Sequence, residues 1–464
     1  MEFKKLIDRK NELDRITTSL KREDTQFVVV YGRRRIGKST LLKHIVNTQE
    51  NAIYFLSDTS SETVQRAAFS KSASAVIDGF DKAIYPDWET FFRSLNQQLT
   101  SRTLVCIDEF PYLVKSCEAL PSIIQKLLNE KNLKFDLILC GSSQQLMHGY
   151  VLNKQSPLYG LANEIIKMQP IPFRYIGTAM ECDAVQAVKE FAIWGGVPRY
   201  WEVRRDYPDT ETAIRKVLLD PQGVLIEEPQ RLLRDDMRDT IQATSLLTII
   251  GNGANKPSEI ASRVGKDTSA ISEPLSKLCD LGYVCREVPF GENPKKSKKG
   301  LYHINDSLLR FHYQFITPYR SLLELGKIDT VMKVVNSQLP QFVGYCWELL
   351  CRNYVSGNII DGIIYNLASR WWGKIFPPDC KEGKMVELDV VAESIDKKHI
   401  LIGECKWTHD NDADRLMDVL AEKAKYLPFV KRGQEVHLVL FLKEYPHKMT
   451  KEMKIVLPED FIKA

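Results

Sequence analysis

No Cys-x-x-Cys pair occurs among the ten cysteines of this 464-residue chain. Several, including Cys106, Cys140 and Cys405, lie inside apolar runs, as small buried thiols do. That arrangement argues against a disulfide scaffold or a cysteine-based zinc site, and for a reducing compartment, the cytoplasm. Long hydrophobic runs are missing too. No stretch reaches the about 18 apolar residues of a membrane-spanning helix. The segment from Met1 to Arg9 lacks the apolar region of a secretory leader. Charge of one sign is scarce: Lys and Arg number 64, Asp and Glu 60, and the net charge is only +4. No global basic field announces nucleic acid, so any such contact must be local.

The chain is too long for one ordinary core, and two to four domains are expected. Its most informative stretch starts with an apolar run, Phe27 to Tyr31, which reads as a buried parallel strand. Gly32-Arg33-Arg34-Arg35-Ile36-Gly37-Lys38-Ser39-Thr40 follows, and then Leu41, Leu42 and Ile45 at helical spacing. This is a P-loop, with strand, glycine-rich turn and helix in order. Its backbone N–H groups, at the positive end of a helix, suit phosphates. Lys38 would reach the β- and γ-phosphates of ATP, and Ser39 would hold Mg²⁺. Asp8 and Arg9, just upstream, read either as contacts to the adenine that help close the pocket or as a solvated helix start. The three arginines of the loop read as a phosphate or DNA contact, as a solvated outer face, or as a salt-bridge surface between domains.

A second motif, Thr103-Leu104-Val105-Cys106-Ile107-Asp108-Glu109, ends an apolar strand in two carboxylates. Asp108 would serve the Mg²⁺ shell opposite Ser39, and Glu109 would polarise the attacking water. A further apolar strand, Phe135 to Cys140, ends in Gly141-Ser142-Ser143. Ser142 or Ser143 would sense the γ-phosphate, or else the pair caps a turn. Alternating strands and helices predict a parallel α/β sheet with its ligand at the strand ends.

These motifs occur together with Ser156-Pro157-Leu158-Tyr159-Gly160 and Gly195-Gly196-Val197-Pro198. As a set they resemble the archaeal-type ATPases of archaea and bacteria, a branch of the AAA+/STAND P-loop proteins. The resemblance implies an ATP-driven switch with a helical lid. One departure stands out: Leu161 replaces an arginine expected after Ser-Pro-Leu-Tyr-Gly. If that arginine acts in trans as a finger, hydrolysis here is slow or uses another residue. Arg199 reads as a sensor arginine or as an exposed lid residue.

The expected divisions are an ATPase core at 1–172, a helical lid at 173–243, a winged helix at 244–306, a helical connector at 307–335 and a C-terminal domain at 336–464. In the winged helix, Thr268 to Leu281 would be the recognition helix, though Pro274 should make it start late or bend. A hairpin would follow, with Lys295, Lys296, Lys298 and Lys299 at its tip. Those lysines either contact DNA phosphates without sequence readout or keep an edge soluble.

The last domain carries a second chemistry. Glu348 lies on a helix, Val386-Glu387-Leu388-Asp389 begins one strand, and His399 to Trp407 forms another. Glu404 and Lys406, two apart, share a face, and a hairpin brings Asp389 beside them. Glu348, Asp389 and Glu404 would bind Mg²⁺, and Lys406 would steady developing charge. The alternative is a surface ion pair worth little. The four residues resemble the PD-(D/E)xK nucleases, which implies a restriction-endonuclease-like α/β fold. The combined expectation is an ATP-binding switch controlling a Mg²⁺-dependent deoxyribonuclease, in defence, mobile-element biology or DNA repair. The alternatives are an ATP-regulated DNA-binding protein with an inactive nuclease fold and a STAND-type scaffold that assembles with itself or a protein partner.

Overall fold

The computed structural model describes residues 7–237, 239–378, 380–409 and 411–463. The chain divides into two compact units. One comprises Met1–Ile171 with Val197–Glu202 and Arg234–Arg238; the other comprises Pro172–Gly196, Val203–Leu233 and Asp239–Ala464. The lid expected at 173–243 is therefore split: two of its short segments belong with the ATPase core.

In the first unit, strands β1 (Phe27–Tyr31), β2 (Ala52–Leu56), β3 (Thr103–Asp108), β4 (Phe135–Gly141) and β5 (Glu164–Lys167) form one parallel sheet. Their order is β2-β3-β4-β1-β5. The inner strands β1, β3 and β4 are apolar almost throughout and nearly all buried, as strands covered on both faces must be. The edge strand β5 was not legible in the sequence. Charged residues end it and Ile165 is 43 % exposed, so it carries no apolar run. One side of the sheet is filled by aromatic rings. Phe55 stacks on Phe69 with centroids 4.4 Å apart, and Phe69 tilts against Phe91 at 4.9 Å. Such pairs add about 0.5–1.5 kcal/mol each to simple area burial.

The order of the sheet decides where chemistry can occur. Because β4 lies between β1 and β3, the end of β4 sits between the turn leaving β1 and the carboxylates leaving β3.

The second unit begins with helices, among them Ala184–Trp194. Helices Thr240–Gly251, Pro257–Val264 and Thr268–Asp280 then lead into an antiparallel hairpin, β6 (Val284–Glu287) with β7 (Leu301–Ile304). Of the late start or bend expected from Pro274, the late start does not occur: the helix Thr268–Asp280 contains Pro274. Ile271, Leu275 and Leu278 bury one face, and that packing outweighs one lost backbone hydrogen bond.

The connector also differs from its expectation. It is a chain of short turns, Ser307–Phe311, His312–Ile316, Thr317–Tyr319 and Arg320–Glu324, followed by a single 28-residue helix, Ile328–Val355. The division at 335/336 thus falls inside that helix. Pro340 lies inside it, and buried Val331, Val335, Leu339, Phe342, Cys346 and Leu350 keep helical spacing on both sides of it.

Beyond a two-residue ribbon, β8 (Ile359–Ile360) and β9 (Ile363–Ile364), comes a mixed five-stranded sheet. Its strands are β10 (Ser369–Ile375), β11 (Lys384–Glu393), β12 (His399–Lys406), β13 (Glu435–Leu442) and β14 (Lys454–Val456). The pairs β10–β11 and β11–β12 are antiparallel, whereas β12–β13 and β13–β14 are parallel. The parallel crossover between β12 and β13 is made by the helix Ala413–Ala424.

Candidate functional site

The P-loop geometry follows from its glycines. Gly32 has φ +149°, and a Cβ there would stand 2.6 Å from the Met168 carbonyl oxygen, so only glycine fits. Gly37 has φ +92° and Arg35 φ +68°, which turn the backbone between β1 and the helix Lys38–Val46. The Ile36 side chain is fully buried and anchors the loop. Lys38 is 4 % exposed, and its Nζ donates to the Arg33 carbonyl at 2.8 Å, inside the loop's own curve. Ser39 and Thr40 open the helix beside it.

Opposite the loop, Asp108 is fully buried at the end of β3. Its Oδ2 accepts from the Tyr54 hydroxyl at 2.7 Å and its Oδ1 from the Glu109 N–H at 2.9 Å. Tyr54 is also within hydrogen-bonding reach of Ser39, and burial followed by the charge of Asp108 raises its hydroxyl pKa strongly. Glu109 takes a left-handed backbone, φ +54°. Its Oε2 accepts from the Ser142 N–H at 3.1 Å and from the Ser142 Oγ at 2.9 Å. Gly32, Arg35, Ile36, Gly37, Lys38, Ser39, Thr40, Asp108, Glu109 and Ser142 therefore gather at one end of the sheet. A triphosphate fits the donors of loop and helix start, and Mg²⁺ fits Ser39 with Asp108.

Arg9 is 5 % exposed and bonded beneath the loop. Its guanidinium donates to the Ile36 carbonyl at 2.9 Å, to the Gln169 carbonyl at 3.0 Å and to Glu12 at 3.0 Å. A buried guanidinium must satisfy its donors, and loop carbonyls do so here. Asp8 precedes it with φ +48°. Two of the loop arginines are engaged within the same unit. Arg33 donates to the Tyr200 hydroxyl at 3.0 Å, and Arg34 pairs with Asp235 at 2.6 Å. Arg199 is 56 % exposed and pairs with Glu202, as an outer residue would. Leu161 packs against the aromatic core, which accounts for an apolar residue at that position.

The second cluster forms where β11, β12 and the helix Ile328–Val355 meet. Register places Val390 opposite Gly403, so Asp389 and Glu404 come together across the pair. The Cys405 N–H donates to Asp389 Oδ2 at 2.8 Å. Glu404 Oε1 accepts from Lys406 Nζ at 2.8 Å, and its Oε2 from Lys423 Nζ at 3.0 Å. Glu348 reaches in from the helix, with Arg352 3.9 Å away. Burial, then the charge of Asp389, pushes the Glu348 carboxyl up to about 7. Asp389 is raised by burial first and by Glu404 second. Burial alone would raise Glu404 too, but Lys406 and Lys423 outweigh it and hold this carboxyl down. Two carboxyls that resist ionisation side by side are a donor set suited to a hard divalent cation.

Sequence reasoning missed the cations that frame this cluster. Arg352 donates to the Asp389 backbone carbonyl at 3.0 Å and pairs with Glu287 at 3.2 Å. Arg370 lies 3.7 Å from Glu287 and 3.0 Å from Glu387. Arg352 was findable, four residues after Glu348 on one helix. Arg370, Lys423 and Glu287 carried no local signal.

The four hairpin lysines, Lys295, Lys296, Lys298 and Lys299, are exposed at the tip, and Lys299 pairs with Glu292 at 2.8 Å. Arg286 supports the tip from beneath, donating to the carbonyls of Pro294 and Ser297. At its base the Phe290 N–H donates to the Arg370 carbonyl at 2.8 Å.

Residues 6–176 match a family described as an ATPase domain predominantly from archaea. The first unit is therefore similar to P-loop ATPase domains, in motif and in fold. Residues 312–417 match archaeal and bacterial proteins of unknown function. An uncharacterized protein of Methanocaldococcus jannaschii is 28 % identical over 431 residues, covering 90 % of this chain and 92 % of its own. Among solved structures, Aeropyrum pernix ORC2 in ADPNP and ADP complexes is similar at 13 % identity. It covers 72 % of this chain and 96 % of its own, with a TM-score of 0.45. The DNA complex of ORC1 from the same organism is similar at 15 % identity, 69 % and 95 % coverage and TM-score 0.37. The Thermotoga maritima RuvB branch migration motor gives 17 %, 60 % and 88 %, and 0.31. Among the described residues, no helix is long and apolar enough to cross a membrane.

Proposed function

We propose that this chain is an ATP-binding and ATP-hydrolysing switch that governs a Mg²⁺-dependent, DNA-directed nuclease site. The observation that carries the nuclease reading is the convergence of Asp389, Glu404 and Lys406 with Glu348, two of whose carboxyls are raised. Mg²⁺ bound by Glu348, Asp389 and Glu404 would supply Lewis acidity and a bound hydroxide. Lys406, positioned by Glu404, would meet negative charge developing on the phosphate. The test is cleavage of plasmid DNA with Mg²⁺, with and without ATP. Wild type is expected to cut, Asp389→Ala to be inactive, and Lys38→Ala to lose the ATP dependence. Equal behaviour of wild type and Asp389→Ala ends the nuclease reading.

A second reading has its own observation. Both oxygens of Glu404 are already held by lysines, and Arg352 and Arg370 border the cluster. A carboxylate neutralised in this way also suits a non-cutting module that docks DNA or protein. Absence of Mg²⁺-dependent cleavage, with DNA binding retained, selects it.

DNA contact through the hairpin predicts a salt signature. Each phosphate-neutralising lysine contributes about 0.9 to the slope of log affinity against log salt. Changing Lys295, Lys296 and Lys298 together to Gln should reduce that slope by about 2–3 in a fluorescence-anisotropy titration with duplex DNA. An unchanged slope removes the hairpin from the interface.

A further inference from the structure

We propose that His399, Glu435 and His437 form a site for one zinc-class divalent ion, separate from the Asp389 cluster. The fold builds this triad from two neighbouring strands. In the parallel pair β12–β13, His399 stands beside Glu435, and His437 lies two residues along β13, on the same face as Glu435. His399 Nδ1 and His437 Nε2 are 3.0 Å apart. His399 Nδ1 is 3.3 Å from Glu435 Oε2, and His437 Nε2 is 3.8 Å from Glu435 Oε1. Donors bound at about 2.0–2.1 Å around a tetrahedral ion stand roughly 3.3–3.4 Å from one another. The three separations bracket that edge length, so one ion can reach all three groups with small side-chain adjustments.

Backbone bonds hold the ligands in place. The His399 N–H donates to Ser394 Oγ at 3.0 Å, and the Glu435 N–H to the Lys398 carbonyl at 2.8 Å. The side chains keep 24 %, 66 % and 30 % of their exposure at His399, Glu435 and His437, so an ion can enter and the fourth position faces water. Two imidazoles and a carboxylate select zinc, cobalt or nickel over Mg²⁺, which prefers oxygen donors and keeps its own waters. The triad lies at the start of β12, whereas Glu404 and Lys406 lie at its end. An ion here would tie together the beginnings of two strands that the chain connects only through the crossover helix Ala413–Ala424.

Zinc titration of the full chain by calorimetry, in excess Mg²⁺, tests the site, with cobalt absorption as a second readout. Wild type is expected to bind one zinc at this site, to give the visible bands of four-coordinate cobalt and to melt at a higher temperature with zinc. His437→Ala should weaken zinc at least ~100-fold, more than loss of a supporting residue does. Glu435→Gln, a change at an exposed side chain, should weaken it at least ~10-fold with the fold intact by circular dichroism. Equal zinc affinity in wild type and both variants overturns the proposal. So does displacement of the zinc by Mg²⁺, or its loss in Asp389→Ala with both histidines in place, since each puts the ion in the carboxylate cluster.

Discussion

Glu109→Gln is expected to bind ATP as wild type does and to turn it over about 10²–10⁴-fold more slowly, the usual contribution of a positioned general base. The expectation rests on how the two carboxylates at the end of β3 are held. Asp108 is fully buried and fastened on both oxygens, by the Tyr54 hydroxyl and by the backbone. Tyr54 links it to Ser39, an arrangement suited to a metal shell. Glu109 has a left-handed backbone and is held through one oxygen by Ser142, at the end of the neighbouring strand. That tether is a pair of ordinary hydrogen bonds and exchanges readily for a water or phosphate contact. Glutamine keeps the shape and can still accept from Ser142, so binding survives while the base is lost. Lys38→Ala should do the reverse and abolish binding itself. Fluorescent-nucleotide titration and phosphate release, measured on the same preparations, separate the two. Wild-type turnover in Glu109→Gln would remove Glu109 from the chemistry.

Features that a short stretch of chain encodes could be read from the sequence. The P-loop is contiguous, and its strand, glycines and helix start each have a local physical cause. The Glu404–Lys406 pair is legible because side chains alternate along a strand, and its pairing with Asp389 needs only a hairpin. Features that depend on what a side chain meets were not legible. Arg9 read as an adenine contact or as a solvated helix start, and its burial and its bonds to the Ile36 and Gln169 carbonyls had no local signal. Tyr54 is one aromatic in an apolar strand, and nothing local marks it as the partner of Asp108. Pro274 was expected to delay or bend its helix, yet the helix already starts at Thr268, because its buried face outweighs one missing hydrogen bond. His399 and His437 belong to strands paired through a crossover, so their proximity exists only in three dimensions.

Glu348→Gln should stabilise the protein at pH 8 while removing whatever Mg²⁺-dependent activity the cluster has. The carboxyl of Glu348 ordinarily ionises near 4.5; burial and then Asp389 move it to about 7 in the folded chain. A raised folded value means that the folded state keeps this proton to higher pH than the unfolded state does. Its stabilising effect is complete below 4.5 and is lost as pH climbs through about 7. At pH 8 wild type therefore carries an ionised, half-buried carboxylate beside Asp389, and glutamine relieves it. The whole shift corresponds to at most about 3 kcal/mol. Because the side chain retains 27 % of its exposure, solvent screening reduces this to about 2 kcal/mol. Urea melts should show that gain at pH 8 and almost none at pH 4.5. Millimolar Mg²⁺ should close the gap from the other side, stabilising wild type at pH 8 and leaving Glu348→Gln nearly unchanged, because an ion that needs the ionised carboxylate supplies the missing counter-charge. If Glu348→Gln is instead destabilising at pH 8, and Mg²⁺ affects both proteins alike, Arg352 already satisfies Glu348 and the cluster is an ion-pair network without a place for a metal.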